Sequence, residues 1–139
     1  MIVLDTNVVS ELMRANPQPG VQKWLAAQTT ARTFVTAISV AETIFGLAIM
    51  PAGARRQRLE TLCAEIFDID FEGRVLPFDR AAAQVYGELL AERKQRGRPM
   101  AQMDAQIASI TRLHGATLAT RNVRDFADCG IRVVDPWAG

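Results

Sequence analysis

The chain has 139 residues, of which 49% are hydrophobic and 22% are charged, and its formal net charge is +1. These values predict a globular protein with a single domain over residues 1–139, and they exclude an intrinsically disordered chain. The near-neutral net charge does not indicate whether the protein binds nucleic acid, because the local distribution of basic residues matters more than their sum.

Short apolar runs alternate with helical patterns from the first residues onward. Strands are predicted at residues 2–5, 33–37, 74–78, 116–119 and 131–134. Helices are predicted at residues 7–13, 21–27, 39–50, 54–67, 80–95 and 103–114, and Asp79 is expected to cap the fifth of them. Strands separated by helices imply an α/β fold, with a central parallel sheet and helices on both of its faces.

The few cysteines and histidines, and the lack of membrane-span or signal-peptide patterns, limit the kinds of site and the location that the protein can have. Cys63 and Cys129 are isolated in the sequence, which favours two ordinary thiols. His114 is the only histidine, so a zinc site of several histidines and a nuclease with paired catalytic histidines are excluded. No stretch has the pattern of a membrane span or a signal peptide, and we therefore expect a cytoplasmic location.

A carboxylate directly follows the first predicted strand. Asp5 ends the apolar run of residues 2–4 and opens the segment Asp5-Thr6-Asn7. In open parallel sheets, ligands bind in the crevice beyond the carboxyl ends of the strands, so Asp5 lies where a binding site is expected. The structural alternative is that Asp5 only caps the helix that follows it.

Glu42 is a second acid within an apolar pattern. The helix predicted at residues 39–50 carries an apolar stripe of Ala41, Phe45, Ala48 and Ile49. Glu42 falls within that stripe at helical spacing, which predicts that its carboxylate faces inward. The structural alternative is specific, because Ser39-x-x-Glu42 has the spacing of a capping box.

Further oxygen-bearing side chains are expected at the same edge of the sheet. Asp104 begins the helix predicted at residues 103–114, where an acid also suits the helix dipole. Thr120, Asn122 and Asp125 follow the strand predicted at residues 116–119. Asn122 has a structural alternative as the cap of a short helical turn. Together with Asp5 and Glu42, these side chains predict one site.

A group of acids without histidine indicates a site for a divalent cation that prefers oxygen ligands. A buried carboxylate is costly unless it is paired or holds a cation. Oxygen ligands suit Mg²⁺ or Mn²⁺, and Mg²⁺ commonly binds through one or two carboxylates together with substrate phosphate. The predicted site therefore points to phosphoryl chemistry, in which a metal activates a water and neutralises charge on the phosphate.

Five stretches carry a family resemblance. They are residues 1–10 around Asp5, residues 36–46 around Glu42, residues 103–108 around Asp104, residues 119–126, and the ending Pro136-Trp137. In this order, and over nearly the whole chain, they resemble the PIN-domain nucleases, especially the VapC-type toxins of toxin–antitoxin modules. The ending and the segment 76–79 are similar to the FitB-like branch.

The resemblance implies a three-layer α/β/α PIN-like domain and an endoribonuclease dependent on Mg²⁺ or Mn²⁺. It implies that Asp5, Glu42 and Asp104 are catalytic acids that bind the metal. The fourth position departs from part of the family, because Asn122 stands where some members have an acid. Asp125 is then expected as the fourth catalytic acid, and whether it or Asn122 fills that position stays open.

The resemblance also implies supporting residues and partners. Thr6 and Thr120 would orient the acids or bind water, and Asn122 would support them. A cognate antitoxin protein would inhibit the enzyme, operator DNA would be bound only through that antitoxin, and the toxin would form a homodimer without a membrane partner.

Basic residues offer contacts for RNA phosphates. Arg121 and Arg124 flank the predicted site and are the leading candidates. Two other groups lie near helix ends: Arg55, Arg56 and Arg58, and Arg93, Lys94, Arg96 and Arg98. For these two groups, an ordinary solvated surface is the preferred interpretation.

Other classes of protein agree less well with the sequence. A signalling receiver would need adjacent acids after the first strand and a lysine after a late one, but Thr6 and Asn7 follow Asp5, and Arg121 follows Thr120. Asn7 also excludes a phosphatase of the Asp-x-Asp type. A PIN-like binding or regulatory module without significant turnover stays open as the alternative function.

Overall fold

Five parallel strands form the central sheet of the protein, of which the computed structural model describes residues 1–138. The strands are β1 (Ile2–Leu4), β2 (Thr33–Thr36), β3 (Val75–Leu76), β4 (Thr117–Ala119) and β5 (Arg132–Val134). Their spatial order is β3-β2-β1-β4-β5, so β1 lies in the middle. The predicted parallel sheet is confirmed, with strands somewhat shorter than the apolar runs.

Helices cover the sheet. They are α1 (Thr6–Leu12), α2 (Pro19–Ala26), α3 (Ala37–Ala48), α4 (Ala54–Ala64), α5 (Arg80–Gln95) and α6 (Gln102–Leu113). The helix predicted at residues 54–67 instead ends at Ala64 and continues as π-helical turns over Glu65–Asp70. Asp79 caps α5 as predicted, since its carboxylate accepts a hydrogen bond from the backbone N–H of Ala82. Within residues 1–138, no helix combines the length and apolarity that crossing a lipid bilayer requires.

Successive side chains of β1 point to opposite faces of the sheet and build two separate cores. Val3 belongs to the core beneath α5 and α6, with Leu89, Ile107, Ile110 and Leu118. Leu4 belongs to the core beneath α1, α3 and α4, with Val8, Val9, Leu47 and Cys63. Full burial of one such aliphatic side chain contributes roughly 1.5–3 kcal/mol. The result is the expected three-layer α/β/α arrangement.

The order of the strands changes direction beside β1. The chain runs from β1 through β2 to β3 on one side, and then returns to place β4 and β5 on the other. Connections leaving β1 and β4 therefore diverge, which opens a crevice at the carboxyl end of the sheet. Asp5 and Thr120 directly follow these two strands and stand at that crevice.

Candidate functional site

Asp5 is a buried carboxylate that also caps α1. Its Oδ1 accepts a hydrogen bond from the backbone N–H of Thr6 at 2.8 Å, and its Oδ2 accepts one from the hydroxyl of Thr120 at 2.7 Å. Only 4% of the residue is exposed. Burial raises the pKa of Asp5, while the bonds from Thr120 and Thr6 act against that rise. Asp5 therefore caps α1, and its carboxylate lies at the crevice at the same time.

Glu42 reaches the same crevice from α3. Its Oε1 accepts a hydrogen bond from the hydroxyl of Thr6 at 2.6 Å, and that hydroxyl lies 2.9 Å from the hydroxyl of Ser39. The structural alternative, a capping box, is wrong, because α3 begins at Ala37 and Ser39 is already inside the helix. Thr36 is the cap, and its hydroxyl accepts the backbone N–H of Ser39 at 3.1 Å. Glu42 is thus not engaged as a capping residue.

The apolar stripe predicted beside Glu42 faces solvent rather than the core. Phe45 and Ile49 are 64% and 68% exposed. The buried side of α3 instead carries Ser39, Thr43 and Leu47. Because α3 is apolar on more than one side, helical spacing alone does not identify the buried side. Glu42 is half-buried for another reason, its hydrogen bond to α1.

Asp104 joins the site from the first turn of α6. Burial first, and then the negative charges of Asp5, Asp125 and Glu42, raise the pKa of Asp104 to about 6. The structure therefore brings together four carboxylates from four separate segments, near enough to repel one another. Asp104 and Asp125 also line one depression of about 440 Å³.

Thr120 connects the strand ends to the loop that follows β4. Besides donating to Asp5, its Oγ1 accepts hydrogen bonds from Asn7 Nδ2 at 3.3 Å and from the backbone N–H of Asn122 at 3.0 Å. The side chain of Asn122 is exposed and makes no capping bond to the 3₁₀ turn Val123–Phe126 within the described chain. The structural alternative, a capping side chain at Asn122, is wrong, because the backbone of Asn122 is not in the extended conformation of a capping residue.

Asn7 and Ser39 contribute to the site, although the sequence pattern predicts no role for them in it. Asn7 Nδ2 lies 3.4 Å from Asp5 Oδ2, and Asn7 Oδ1 accepts the backbone N–H of Arg121 at 3.3 Å. Asn7 thereby ties α1 to the loop after β4. Ser39 is fully buried beside Thr6. The available signal was their position inside the same short motifs as Asp5 and Glu42.

The carboxylates suit a hydrated cation better than a closed metal cage. In residues 1–138, no three His, Cys, Asp or Glu side chains converge tightly enough to enclose an ion. The pKa values of Asp5 and Asp104 are nevertheless raised partly by the other acids. The wide spacing of the acids and their mutual effect on pKa values agree if the acids surround a space that also holds water. Mg²⁺ suits such a site, because it keeps several waters and takes one or two carboxylates.

The arginines near the site differ in their availability. Arg124 lines the depression that contains Asp104 and Asp125, and the guanidinium of Arg121 lies 5.2 Å from the centroid of the Trp137 ring. Arg93, from one of the predicted basic groups, is buried and donates hydrogen bonds to the backbone carbonyls of residues 98 and 127. Arg93 is therefore a structural residue and not a surface cation.

Comparisons with known proteins agree with this architecture. Residues 2–131 match the family model described as PIN domain. The chain is 43% identical to the VapC ribonuclease Y4jK of Sinorhizobium fredii, over 99% of this chain and 98% of that protein. It is 36% identical to Toxin FitB of Neisseria gonorrhoeae, over 99% of both. A solved structure described as FitAB bound to an IR36 DNA fragment superposes with a TM-score of 0.92 at 34% identity, covering 99% of this chain and 96% of that chain. The chain therefore belongs to the PIN-domain family.

Proposed function

We propose that this protein is a metal-dependent endoribonuclease and the toxin of a toxin–antitoxin module. The observation that carries the proposal is the meeting of Asp5, Glu42, Asp104 and Asp125 at the point where the strand order reverses. The names of two relatives, a VapC ribonuclease and Toxin FitB, support the same activity. A cytoplasmic location, where RNA is available as a substrate, is part of the same proposal.

Asp5, Glu42 and Asp104 are the residues we assign to a Mg²⁺ or Mn²⁺ ion, which would bind one or two of these carboxylates directly and the remainder through water. When bound, such an ion lowers the pKa of an attacking water and neutralises charge that develops on the phosphate. The chain itself fixes the geometry: Thr120 and Thr6 hold the carboxylates of Asp5 and Glu42 through hydrogen bonds of 2.7 and 2.6 Å. Such supporting bonds keep ligands in position before substrate arrives.

Three side chains at the rim complete the proposed mechanism. In the metal-free protein the pKa of Asp104 is about 6, so its carboxylate is ionised and available to a cation above that pH. Arg124 lines the same depression, where its guanidinium is suited to a non-bridging phosphate oxygen. Asp125 supplies the fourth negative charge of the site and can orient water.

Cleavage of RNA by the purified protein tests the proposal. We expect cleavage with Mg²⁺ or Mn²⁺, none in excess EDTA, and recovery when the metal is restored. Asp104→Asn should abolish cleavage, whereas Glu72→Gln, which removes an exposed carboxylate elsewhere, should not. Undiminished cleavage after thorough chelation would reject the mechanism. RNA binding without turnover under all metal conditions would favour the alternative, a binding or regulatory module.

We further propose an antitoxin protein as the partner, with operator DNA contacted only through it, and a homodimer of the toxin. The solved relative described as FitAB bound to DNA supports such an assembly. On this chain, an apolar groove of about 370 Å³ lies between α3 and α4 and is lined by Ile44, Leu47, Cys63 and Phe67. Ile44 is 54% exposed, which suits a side chain that a protein partner buries.

The partner is best sought in the neighbouring reading frame. Co-expression should yield a complex in which RNA cleavage is inhibited, and sedimentation of the toxin alone should give the mass of a dimer. Ile44→Asp should weaken the complex, because it places a charge in the apolar groove. Leu113→Asp is the matched control, since Leu113 is 37% exposed on α6, away from the groove. Equal affinities of the two variants would remove the groove from the interface.

A further inference from the structure

Two depressions meet at the acidic crevice from opposite sides. The larger, of about 510 Å³, extends from Thr6 and Glu42 to Arg55 and Arg58 in the first turns of α4. The other, of about 440 Å³, contains Asp104, Asp125 and Arg124. Hydrogen bonds connect their inner ends. Thr6 bonds to both Glu42 and Asp5, and the hydroxyl of Thr120 donates to Asp5. That hydroxyl also accepts the backbone N–H of Asn122, whose carbonyl accepts the backbone N–H of Asp125. Both volumes lie within the range of about 300–1,000 Å³ that is typical of ligand sites.

The cations at the outer ends are available to a ligand. Within residues 1–138, no ion pair involves Arg55, Arg58 or Arg124. Arg56, which lies between the first two in sequence, differs because it donates to Glu60 at 2.8 Å. The first turn of α4 contains no acidic residue, so these cations add to the positive end of the helix dipole. An anion bound there would reduce the repulsion between the arginines and the positive end of the helix dipole.

We propose that a single strand of RNA crosses the acidic crevice along these two depressions. Arg55 and Arg58 hold phosphates on one side of the scissile bond, and Arg124 holds a phosphate on the other. This inference rests on the proposed ribonuclease function and adds the path of the substrate to it. Sequence patterns alone favoured an ordinary solvated surface for Arg55 and Arg58, whereas the structure places both in a depression shared with Glu42.

Charge explains why a phosphate chain is the suited occupant. The acids repel phosphates, so an RNA strand bound over them alone would be unfavourable without a cation. Arginines on both sides offset that repulsion and leave one phosphate above the carboxylates. Asp5 lies below the surface, and a flexible single strand can bend toward it where a stiff duplex cannot. A basic peptide, in contrast, would be repelled at both outer ends.

The salt dependence of RNA binding tests the path. The probe is a fluorescein-labelled single-stranded RNA of about a dozen nucleotides, a length that spans such grooves, with the metal-free protein in EDTA. Each phosphate contact to a single strand contributes about 0.7 to the slope of log K against log salt. Arg55→Gln/Arg58→Gln should therefore lower the slope by about 1.4 and weaken binding roughly tenfold at low salt.

Matched variants separate the path from general effects of charge. Arg32→Gln is the control, because Arg32 is exposed in the turn before β2, at the opposite end of the sheet. Arg55→Lys/Arg58→Lys should retain the slope, since point charges suffice for phosphate. Arg124→Gln should lower the slope by about 0.7. With metal present, the glutamine double variant should raise KM for RNA more than it lowers kcat.

The outcomes distinguish the path from the activity. If the double variant binds and cleaves like Arg32→Gln, the path is wrong and the ribonuclease function stands. If RNA binding depends on Arg55 and Arg58 but no metal supports cleavage, the path stands and the proposed function fails. If the double variant loses affinity for the antitoxin while its RNA affinity is unchanged, the groove belongs to the antitoxin and the path is wrong.

Discussion

The hydroxyl of Thr120 donates a hydrogen bond of 2.7 Å to Oδ2 of Asp5, although 115 positions separate the two residues. The register of the sheet explains the contact, since Leu4 of β1 pairs with Ala119 of β4. The next residue on each strand then faces the other just beyond the sheet. The bond lowers the pKa of Asp5 against the effect of burial, which raises it. The register of the sheet thus provides a hydrogen bond that lowers the pKa of a buried carboxylate.

Replacing Thr120 tests this relationship. Thr120→Val removes the hydroxyl while keeping the shape, so Asp5 loses a donor and the backbone N–H of Asn122 loses an acceptor. We expect a loss of stability of roughly 1–3 kcal/mol and a fall in RNA cleavage of roughly 10–100-fold, as for other groups that orient metal ligands. The acidic limb of the pH–rate profile should move to higher pH, because the pKa of Asp5 rises without that donor.

Thr120→Ser is the matched control, since it retains the hydroxyl and should keep both the rate and the pH profile near those of the wild type. Chemical denaturation and cleavage assays across pH measure the two effects. An unshifted profile in Thr120→Val would mean that the hydroxyl has only a structural role.

Asp104 makes the stability of the metal-free protein depend on pH. Its pKa in the folded protein is about 6, against an ordinary value of 3.8. Between these values the native state binds more protons than the unfolded state, so the free energy of unfolding falls as pH rises. The unfavourable contribution is absent below the lower value and complete above the upper one.

Asp104→Asn should remove this contribution and stabilise the metal-free protein above pH 6, while leaving its stability below the ordinary pKa nearly unchanged. Thermal melts of both proteins across this range, in EDTA, provide the measurement. A variant that is less stable at every pH would show instead that the carboxylate supports the start of α6 through the helix dipole.

The fourth position of the site can be assigned by comparing two neighbouring residues. The charge of Asp125 raises the pKa values of both Asp5 and Asp104, whereas Asn122 contacts Thr120 through its backbone N–H alone. We therefore expect Asp125→Asn to reduce metal-dependent cleavage by roughly 10–100-fold and Asn122→Ala to reduce it only slightly. The opposite order of effects would transfer the fourth role to Asn122.

The strand ends are predictable from the sequence because their apolar runs are short and bounded by polar residues. Asp5 and Thr120 follow directly from that pattern, once the strands are taken as parallel. The environment of Glu42 was not predictable in the same way. The start of α3 depends on the hydroxyl of Thr36, and the exposure of Phe45 depends on what packs against α3; neither is encoded in helical spacing.

The π-helical turns after α4 show the same limit. The apolar spacing up to residue 67 continues smoothly, yet the helix widens from Glu65 onward. Ile66 and Phe67 are both buried there, although they are adjacent in sequence. Both side chains lie in the core that contains Leu4 and Val35, so the wider turns accompany packing against the sheet.

Metal binding should reverse the effect of the acids on stability. In the metal-free protein the carboxylates repel one another, and a cation that binds only the folded state stabilises it by about 2.7 kcal/mol at a hundred times its Kd. Mg²⁺ should therefore raise the Tm of the wild type, and EDTA should return it. Asp104→Asn should begin with a higher Tm than the wild type in EDTA and gain less from Mg²⁺, because it has lost both the repulsion and a ligand. Glu72→Gln should behave as the wild type does. Equal Mg²⁺-induced shifts in all three proteins would place the cation elsewhere and remove Asp104 from the proposed metal site.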